Sequence, residues 1–412
     1  MDTIRPVLLT ASDTGGAGTA TRRIHNGLRE IDVDSRMLVR DKSADDPSIY
    51  GPDTRFSKAI AKIRPHLNSL PLAFYDSSNA FSISWLPDRL HKQVESLNPD
   101  IIHLNWVANG YMSPKLIRRL DQPIVWRLPD MWPLTGGCHY ADGCTRYRSK
   151  CGNCPQLDSD LSWDPSRITL TRKKRAVEQS DMTVVATTSW LAEKASESAV
   201  FENTPIKVIP NGLNTNTFKP FDQEIGRDLF DLPSDALLIL FGAVSPFSNP
   251  RKGHDLLIEA LAQLAPDAEK DVELVFFGAS EPIDPPELEF PTHYTGYLND
   301  EESLALLYSA VDIMVVPSRY EGFGQTVTEA MASGTPVVAF NTTGPGEIID
   351  HKKTGYLASK FNPSELADGI EFLLTNPNYR AEFGDRARAV AVNKYDYKHI
   401  AEKYRGLYES LI

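Results

Sequence analysis

Short, uninterrupted apolar runs alternate along this chain with longer stretches whose apolar positions recur at helical spacing. Residues 6–12 (Pro-Val-Leu-Leu-Thr-Ala-Ser) are apolar on both faces. The turn Asp13-Thr14-Gly15-Gly16-Ala17-Gly18 follows, and then a helical pattern passing through Ile24 and Leu28. A strand without polar alternation lies between two helical layers, so this opening predicts a parallel, doubly wound sheet. Further strands are predicted at 35–39, 100–104, 123–127 and 182–187, with helical patterns at 87–96 and 114–120 between them. After a short strand ending near Pro210, the turn Asn211-Gly212 leads into a second series of the same kind. Its strands are predicted at 237–241, 272–277, 292–295, 313–316 and 336–339. Its helices are predicted at 254–264, 301–309, 326–332 and 363–374, and an amphipathic helix at 397–411 closes the chain. Two α/β domains are therefore expected, 1–218 and 219–396, followed by the segment 397–412.

Length and composition fit that division. The 412 residues exceed what one hydrophobic core usually serves. A net charge of −12 argues against a nucleic-acid partner, which would call for a basic face. No apolar run approaches the roughly 20 residues that span a bilayer, and the N-terminus lacks the basic-then-apolar pattern of a signal peptide. A cytoplasmic protein is expected, with membrane contact only peripheral.

Candidate chemistry concentrates after the run at 313–316, in Pro317-Ser-Arg-Tyr-Glu321-Gly-Phe-Gly324-Gln325-Thr326-Val-Thr-Glu329. Gly322 and Gly324 permit close approach of a ligand to the backbone, and a helix beginning near Gln325 would offer its N–H groups to a diphosphate. Glu329 is expected in the first turn of that helix. Two carboxylates there suit sugar and ribose hydroxyls. Arg251-Lys252-Gly253, just before another predicted helix, supplies two cations for a departing diphosphate, so no catalytic metal is expected.

This segment resembles the Glu-x7-Glu motif of glycosyltransferase family 4, and Gly334-Thr-Pro-Val-Val-Ala-Phe and Gly344-Pro-Gly346-Glu347 match that family too. The resemblance implies a GT-B enzyme: two Rossmann-like domains facing a central cleft, transferring sugar with retention. It implies that Glu321 faces the donor sugar, Glu329 the ribose and Arg251-Lys252 the phosphates, with Gly324, Gln325 and Thr326 at the helix start and the base near Tyr297 and Leu298. Gly16 and Gly18 would face the donor phosphate from the first domain. The acceptor would be a glycan, often lipid-linked. His103, at the mouth of a strand, is a candidate acceptor-side residue, although a histidine at a strand end is more often a satisfied structural group. Where relatives often carry His-Asp, this chain has Pro129-Asp130, which leaves the histidine's role unfilled, with Asp130 available to a hydroxyl and His139 close in sequence. That departure keeps open a competing reading, a non-catalytic nucleotide-sugar-binding scaffold or sensor.

All four cysteines, Cys138, Cys144, Cys151 and Cys154, fall in one insertion at about 133–158. Clustered in a cytosolic chain, four thiols point to a structural zinc, with an iron–sulfur cluster or two disulfides as alternatives. The surrounding sequence resembles a loop in a branch of the family associated with surface polysaccharide synthesis. The basic run Arg172-Lys173-Lys174-Arg175 reads as a solvated helix face, though it and the segment 55–75 are both candidates for contact with anionic lipid.

Overall fold

The computed structural model describes residues 4–75, 80–242, 249–264, 271–280 and 289–412. The chain divides into two compact units. Met1–Gly212 together with Tyr397–Ile412 forms the first, and Leu213–Asp396 the second. The boundary thus falls ahead of residue 218, and the C-terminal helix belongs to the first unit.

The first unit is built on seven strands: β1 (Pro6–Ser12), β2 (Arg36–Asp41), β3 (Ile49–Tyr50), β4 (Ile101–Leu104), β5 (Ile124–Leu128), β6 (Met182–Ala186) and β7 (Ile206–Val208). Their order across the sheet is β3-β2-β1-β4-β5-β6-β7, and every pairing is parallel. Alternation within β1 shows how the layers form: Val7, Leu9 and Ala11 enter the core on one face while Leu8 enters the core on the other. The second of these cores is closed by the C-terminal helix Tyr397–Glu409, whose Ile400, Ala401, Tyr404 and Tyr408 are buried against the sheet and the helix Gly15–Glu30. Gly27 makes that approach feasible, because a Cβ there would lie 2.7 Å from the Tyr397 carbonyl.

The second unit repeats the plan on six parallel strands: β8 (Leu237–Gly242), β9 (Val272–Phe277), β10 (Thr292–Gly296), β11 (Ile313–Val316), β12 (Val337–Phe340) and β13 (Gly355–Ala358), in the order β10-β9-β8-β11-β12-β13. Its sheet is again covered on both faces, by the helices Glu301–Ala310 and Gln325–Ala332 on one side and His254–Leu261 and Pro363–Thr375 on the other.

Three local expectations are corrected. The segment 114–120 contains only a 3-10 turn, Ile117–Arg119. Glu329 lies in the second turn of Gln325–Ala332, since that helix starts at Gln325 and has no acid in its first turn. In the basic run, Lys173 is fully buried rather than solvated. It stacks on the Trp132 ring at 3.6 Å and donates to the carbonyls of Trp132 and Thr135. Two strands are added to those expected, β13 and the two-residue β3.

Candidate functional site

The second unit holds the best-developed site. It forms where β11 ends and the helix Gln325–Ala332 begins. Gly324 caps that helix in the left-handed region (φ +105°) and, as a glycine, offers no side-chain cap of its own. Three residues earlier stands Glu321. Its Oε1 accepts from Lys252 Nζ at 2.6 Å and from Ser318 Oγ at 3.0 Å, and its Oε2 lies 3.3 Å from Arg251. Burial works to raise the Glu321 carboxyl, but the charges of Lys252 and Arg251 overcome it and hold the group down to about 2. Burial draws Lys252 below its ordinary value against the pull of Glu321. The trio is therefore an ionised, half-buried cluster at neutral pH, with two cations bridged by one carboxylate.

Backbone contacts lock this cluster into the fold. Asn249 caps the turn Pro250–Lys252, accepting from the Arg251 N–H, and Arg251 donates to the Tyr320 carbonyl at 2.7 Å. Arg319 donates its N–H to the Arg251 carbonyl and grips Asp255 with two bonds of 2.8 and 2.6 Å. From the far side, Thr343 Oγ1 accepts from the Glu321 N–H at 3.0 Å, and Gly344 donates its N–H to the Glu321 carbonyl. Thr343 holds φ +40°, a conformation uncommon for a β-branched residue, as strained positions at functional sites often are. Glu329 is buried, and its Oε2 accepts from the Tyr308 hydroxyl at 3.0 Å. Gln325 and Thr326 are half-buried at the helix start. Tyr297 is exposed just beyond β10, while Leu298 packs against the core. Sequence reasoning missed Ser318, Tyr308, Thr343 and the Arg319–Asp255 pair. Only their placement reveals them, since a serine or threonine in a turn has many local uses.

In the first unit the candidates separate. Gly16 is exposed in the first turn of the helix Gly15–Glu30, whereas Gly18 is buried: a Cβ there would meet the Ser12 carbonyl oxygen at 2.5 Å, so it serves helix–strand packing. His103 is fully buried. It shares a 2.7 Å hydrogen bond between Nδ1 and the Tyr408 hydroxyl, which ties the sheet to the C-terminal helix and places it in the core. Asp130 has both oxygens engaged within the protein. Oδ1 accepts from the Trp132 N–H, and Oδ2 from Trp106 Nε1 at 3.1 Å and His139 Nδ1 at 2.7 Å. Burial pushes the Asp130 carboxyl up, and His139 with the other donors brings it below its usual value. His139 continues to Ser82 at 3.1 Å and stacks on Trp106. Asp130 is thus committed to orienting His139.

The four cysteines line one cavity together with Phe81, Tyr147 and Ser166, and none is in a disulfide. Among the described residues no group of three or more His, Cys, Asp or Glu is set for metal ligation as the side chains stand. Burial pushes the Cys138 and Cys151 thiols up to about 12.

The family model for glycosyltransferase family 4 matches residues 14–217 and that for glycosyl transferases group 1 matches residues 240–390. The chain is 30% identical over 221 residues to an uncharacterized glycosyltransferase of Methanocaldococcus jannaschii, covering 50% of this chain and 55% of that protein. The first of the curated relatives are matched over about half of their own length. A D-inositol 3-phosphate glycosyltransferase of Pseudarthrobacter chlorophenolicus is 25% identical over 407 residues, covering 93% of this chain and 87% of that one. Among solved structures, Anabaena HepE in complex with UDP and glucose superimposes with a TM-score of 0.64 at 19% identity, over 99% of this chain and 100% of that one. The fold is GT-B.

Proposed function

We propose, for a chain that belongs to the group 1 and family 4 glycosyltransferases, that it moves a sugar from a nucleotide-sugar donor to a hydroxyl of a glycan, with retention at the anomeric carbon. The observation that carries this reading is the Arg251–Glu321–Lys252 cluster, placed three residues ahead of the glycine-capped helix start at Gly324. A diphosphate takes the helix N–H groups and draws the two cations from Glu321. Glu321 then accepts from a sugar hydroxyl, and Glu329 from the ribose. As the bond from the anomeric carbon to the phosphate oxygen breaks, that carbon bonds to the acceptor oxygen, and the acceptor proton passes to the leaving diphosphate. Arg251, Lys252 and the helix dipole stabilise the charge developing on that group. The UDP and glucose held by the Anabaena protein are ligands of the class proposed here. We place the reaction in glycoconjugate or polysaccharide synthesis in the cytoplasm, with a lipid-linked glycan as the preferred acceptor.

The test is a thermal-shift panel with UDP, GDP, ADP and their sugar conjugates on wild type and Glu329→Gln. One base is expected to stabilise the wild type by roughly 2.7 kcal/mol at about 100 times its dissociation constant, and the variant is expected to lose most of that shift. A shift without any sugar turnover would identify the non-catalytic sensor instead. No shift with any nucleotide would remove the donor site.

For the cysteine cavity the reading is a structural zinc held by Cys138, Cys144, Cys151 and Cys154. Burial draws Lys173 down to about 7, and the net negative charge of four thiolates on a divalent cation would favour its ammonium as the counter-charge, since among the described residues it has no carboxylate ion pair. Elemental analysis of purified protein should give one zinc per chain, lost together with several degrees of melting temperature in Cys151→Ser/Cys154→Ser. Metal-free wild type with an unchanged melting curve would end this reading.

A further inference from the structure

The helix Arg55–Ser69 is built inside out. Its N-terminus is fixed by a reciprocal cap between Thr54 and Ser57. The face it lays on the first unit is small or polar: Ala61 and Asn68 are its buried side chains, and Arg64 donates to the carbonyls of Gly110 and Pro87, each at 2.9 Å. Gly110 lets the helix come that close, since a Cβ there would sit 3.0 Å from the Arg64 carbonyl and from Asn68 Cβ. Trp85 Nε1 donates to the Asn68 carbonyl and secures the other end.

What the helix turns outward is its apolar face. Phe56, Ile60, Ile63 and Leu67 are spaced four, three and four residues apart, which sets them along one stripe. Leu70 and Phe74 extend the series into the following 3-10 turn, Leu70–Phe74. All six are exposed, Phe56 by 76% and Phe74 by 89%. Single exposed apolar residues need no explanation, but a continuous row of this length does. Its charge indicates what covers it. Arg55, Lys62 and His66 are exposed and share one flank of the stripe, about 90–130° around the helix from its centre, whereas Lys58 lies on the side away from the stripe. Between Arg55 and Tyr75 there is no Asp or Glu, in a chain whose net charge is −12. No described helix is long and apolar enough to cross a membrane.

We propose that this helix lies in the surface of an anionic lipid bilayer, with the stripe sunk into the headgroup–acyl boundary and the basic flank on lipid phosphates. An interfacial helix needs this combination of apolar face and cations. The docked helix keeps its grip on the protein through Arg64 and Asn68, so binding requires no unfolding. The inference does not rest on the transfer reaction.

Sedimentation with vesicles tests it, using phosphatidylcholine alone and phosphatidylcholine mixed with phosphatidylglycerol. The full chain is expected to pellet with the mixed vesicles and much less with the neutral ones, and added salt should weaken the binding. Arg55→Gln and Lys62→Gln should each lower the partition coefficient roughly fivefold. Phe56→Asp/Ile63→Asp should abolish pelleting while leaving the melting temperature and the nucleotide-induced shift at wild-type values, because both side chains already face solvent. Wild type that ignores anionic vesicles, or a double variant that pellets like wild type, would overturn the proposal. So would a concentration-dependent dimer that the double variant abolishes with no vesicle binding, since the stripe would then be covered by a second copy. Loss of vesicle binding with an intact nucleotide shift counts against docking alone, and the reverse result counts against the donor site alone.

Discussion

Glu321→Gln is expected to lower the transfer rate by roughly a hundred- to a thousandfold, the range seen when one preorganised polar group is removed from a reacting centre. The substitution preserves shape and removes one charge. In the wild type that charge lies 2.6 Å from Lys252 and 3.3 Å from Arg251. Without it the two cations repel each other and have only a neutral amide between them, so they bind a diphosphate at least as well as before. The expected signature is therefore split. Turnover collapses, while the affinity for the bare nucleoside diphosphate stays constant or rises. Equal loss of both would mean that Glu321 merely holds the loop together, and full turnover would remove it from the mechanism.

Acid unfolding adds an independent check. The folded state holds the Glu321 carboxyl down to about 2, below its ordinary value of 4.5, so it contributes stability above the ordinary value. That contribution fades as pH falls from about 4.5 to 2. The glutamine variant should be less stable than wild type at neutral pH, with the difference shrinking across that acid window.

The second large effect is expected from Gly253→Ala. Gly253 adopts φ +70° between the turn Pro250–Lys252 and the helix His254–Leu261. A Cβ built there falls 1.9 Å from the Pro317 carbonyl oxygen, a backbone atom that cannot swing aside. The strained dihedral and the clash act together, and the expected loss is about 3 kcal/mol or more. For a unit of this size that corresponds to roughly 6–12 °C in melting temperature. Relief of the clash must separate the Arg251-Lys252 turn from the loop carrying Glu321, so diphosphate affinity should fall as well. Gly406→Ala is the control. It lies in the helix Tyr397–Glu409, and a Cβ there meets nothing within 4 Å. Removing a helical glycine should leave stability unchanged or raise it by roughly 0.5–1 kcal/mol. A Gly253 variant as stable as this control would show that the close approach to Pro317 is not required.

Much of the molecule is legible without coordinates, for a definite reason. In a parallel sheet covered on both faces, each strand must be apolar throughout, so 6–12, 272–277 and 313–316 announce themselves by local composition. The donor loop is equally local. Glu321, Gly324 and Glu329 lie within one strand–loop–helix passage, and their spacing brings Glu321 and Gly324 to the helix start and Glu329 into its second turn.

Tertiary structure decided whatever depends on residues far apart in sequence. The pairing of Lys252 with Glu321 spans 69 positions, and no periodicity encodes it. His103 has the composition of a site residue, but the C-terminal helix, some 300 residues later, supplies the Tyr408 hydroxyl that claims its ring in the core. Asp130 reads as a free carboxylate until Trp106 and His139 are folded onto it. Lys173 sits in a basic run that reads as solvated, yet Trp132 and Thr135 close over it. The helix Arg55–Ser69 shows the same limit from the other side. Its basic residues mark it in the sequence as a candidate for contact with anionic lipid, but the sequence does not say which of its faces is turned outward. Only the packed structure shows Ala61, Arg64 and Asn68 taking the inner face and leaving the stripe outside. Sequence sets which faces are apolar through the backbone's own period, whereas the choice of which face is buried belongs to the neighbours that folding brings near.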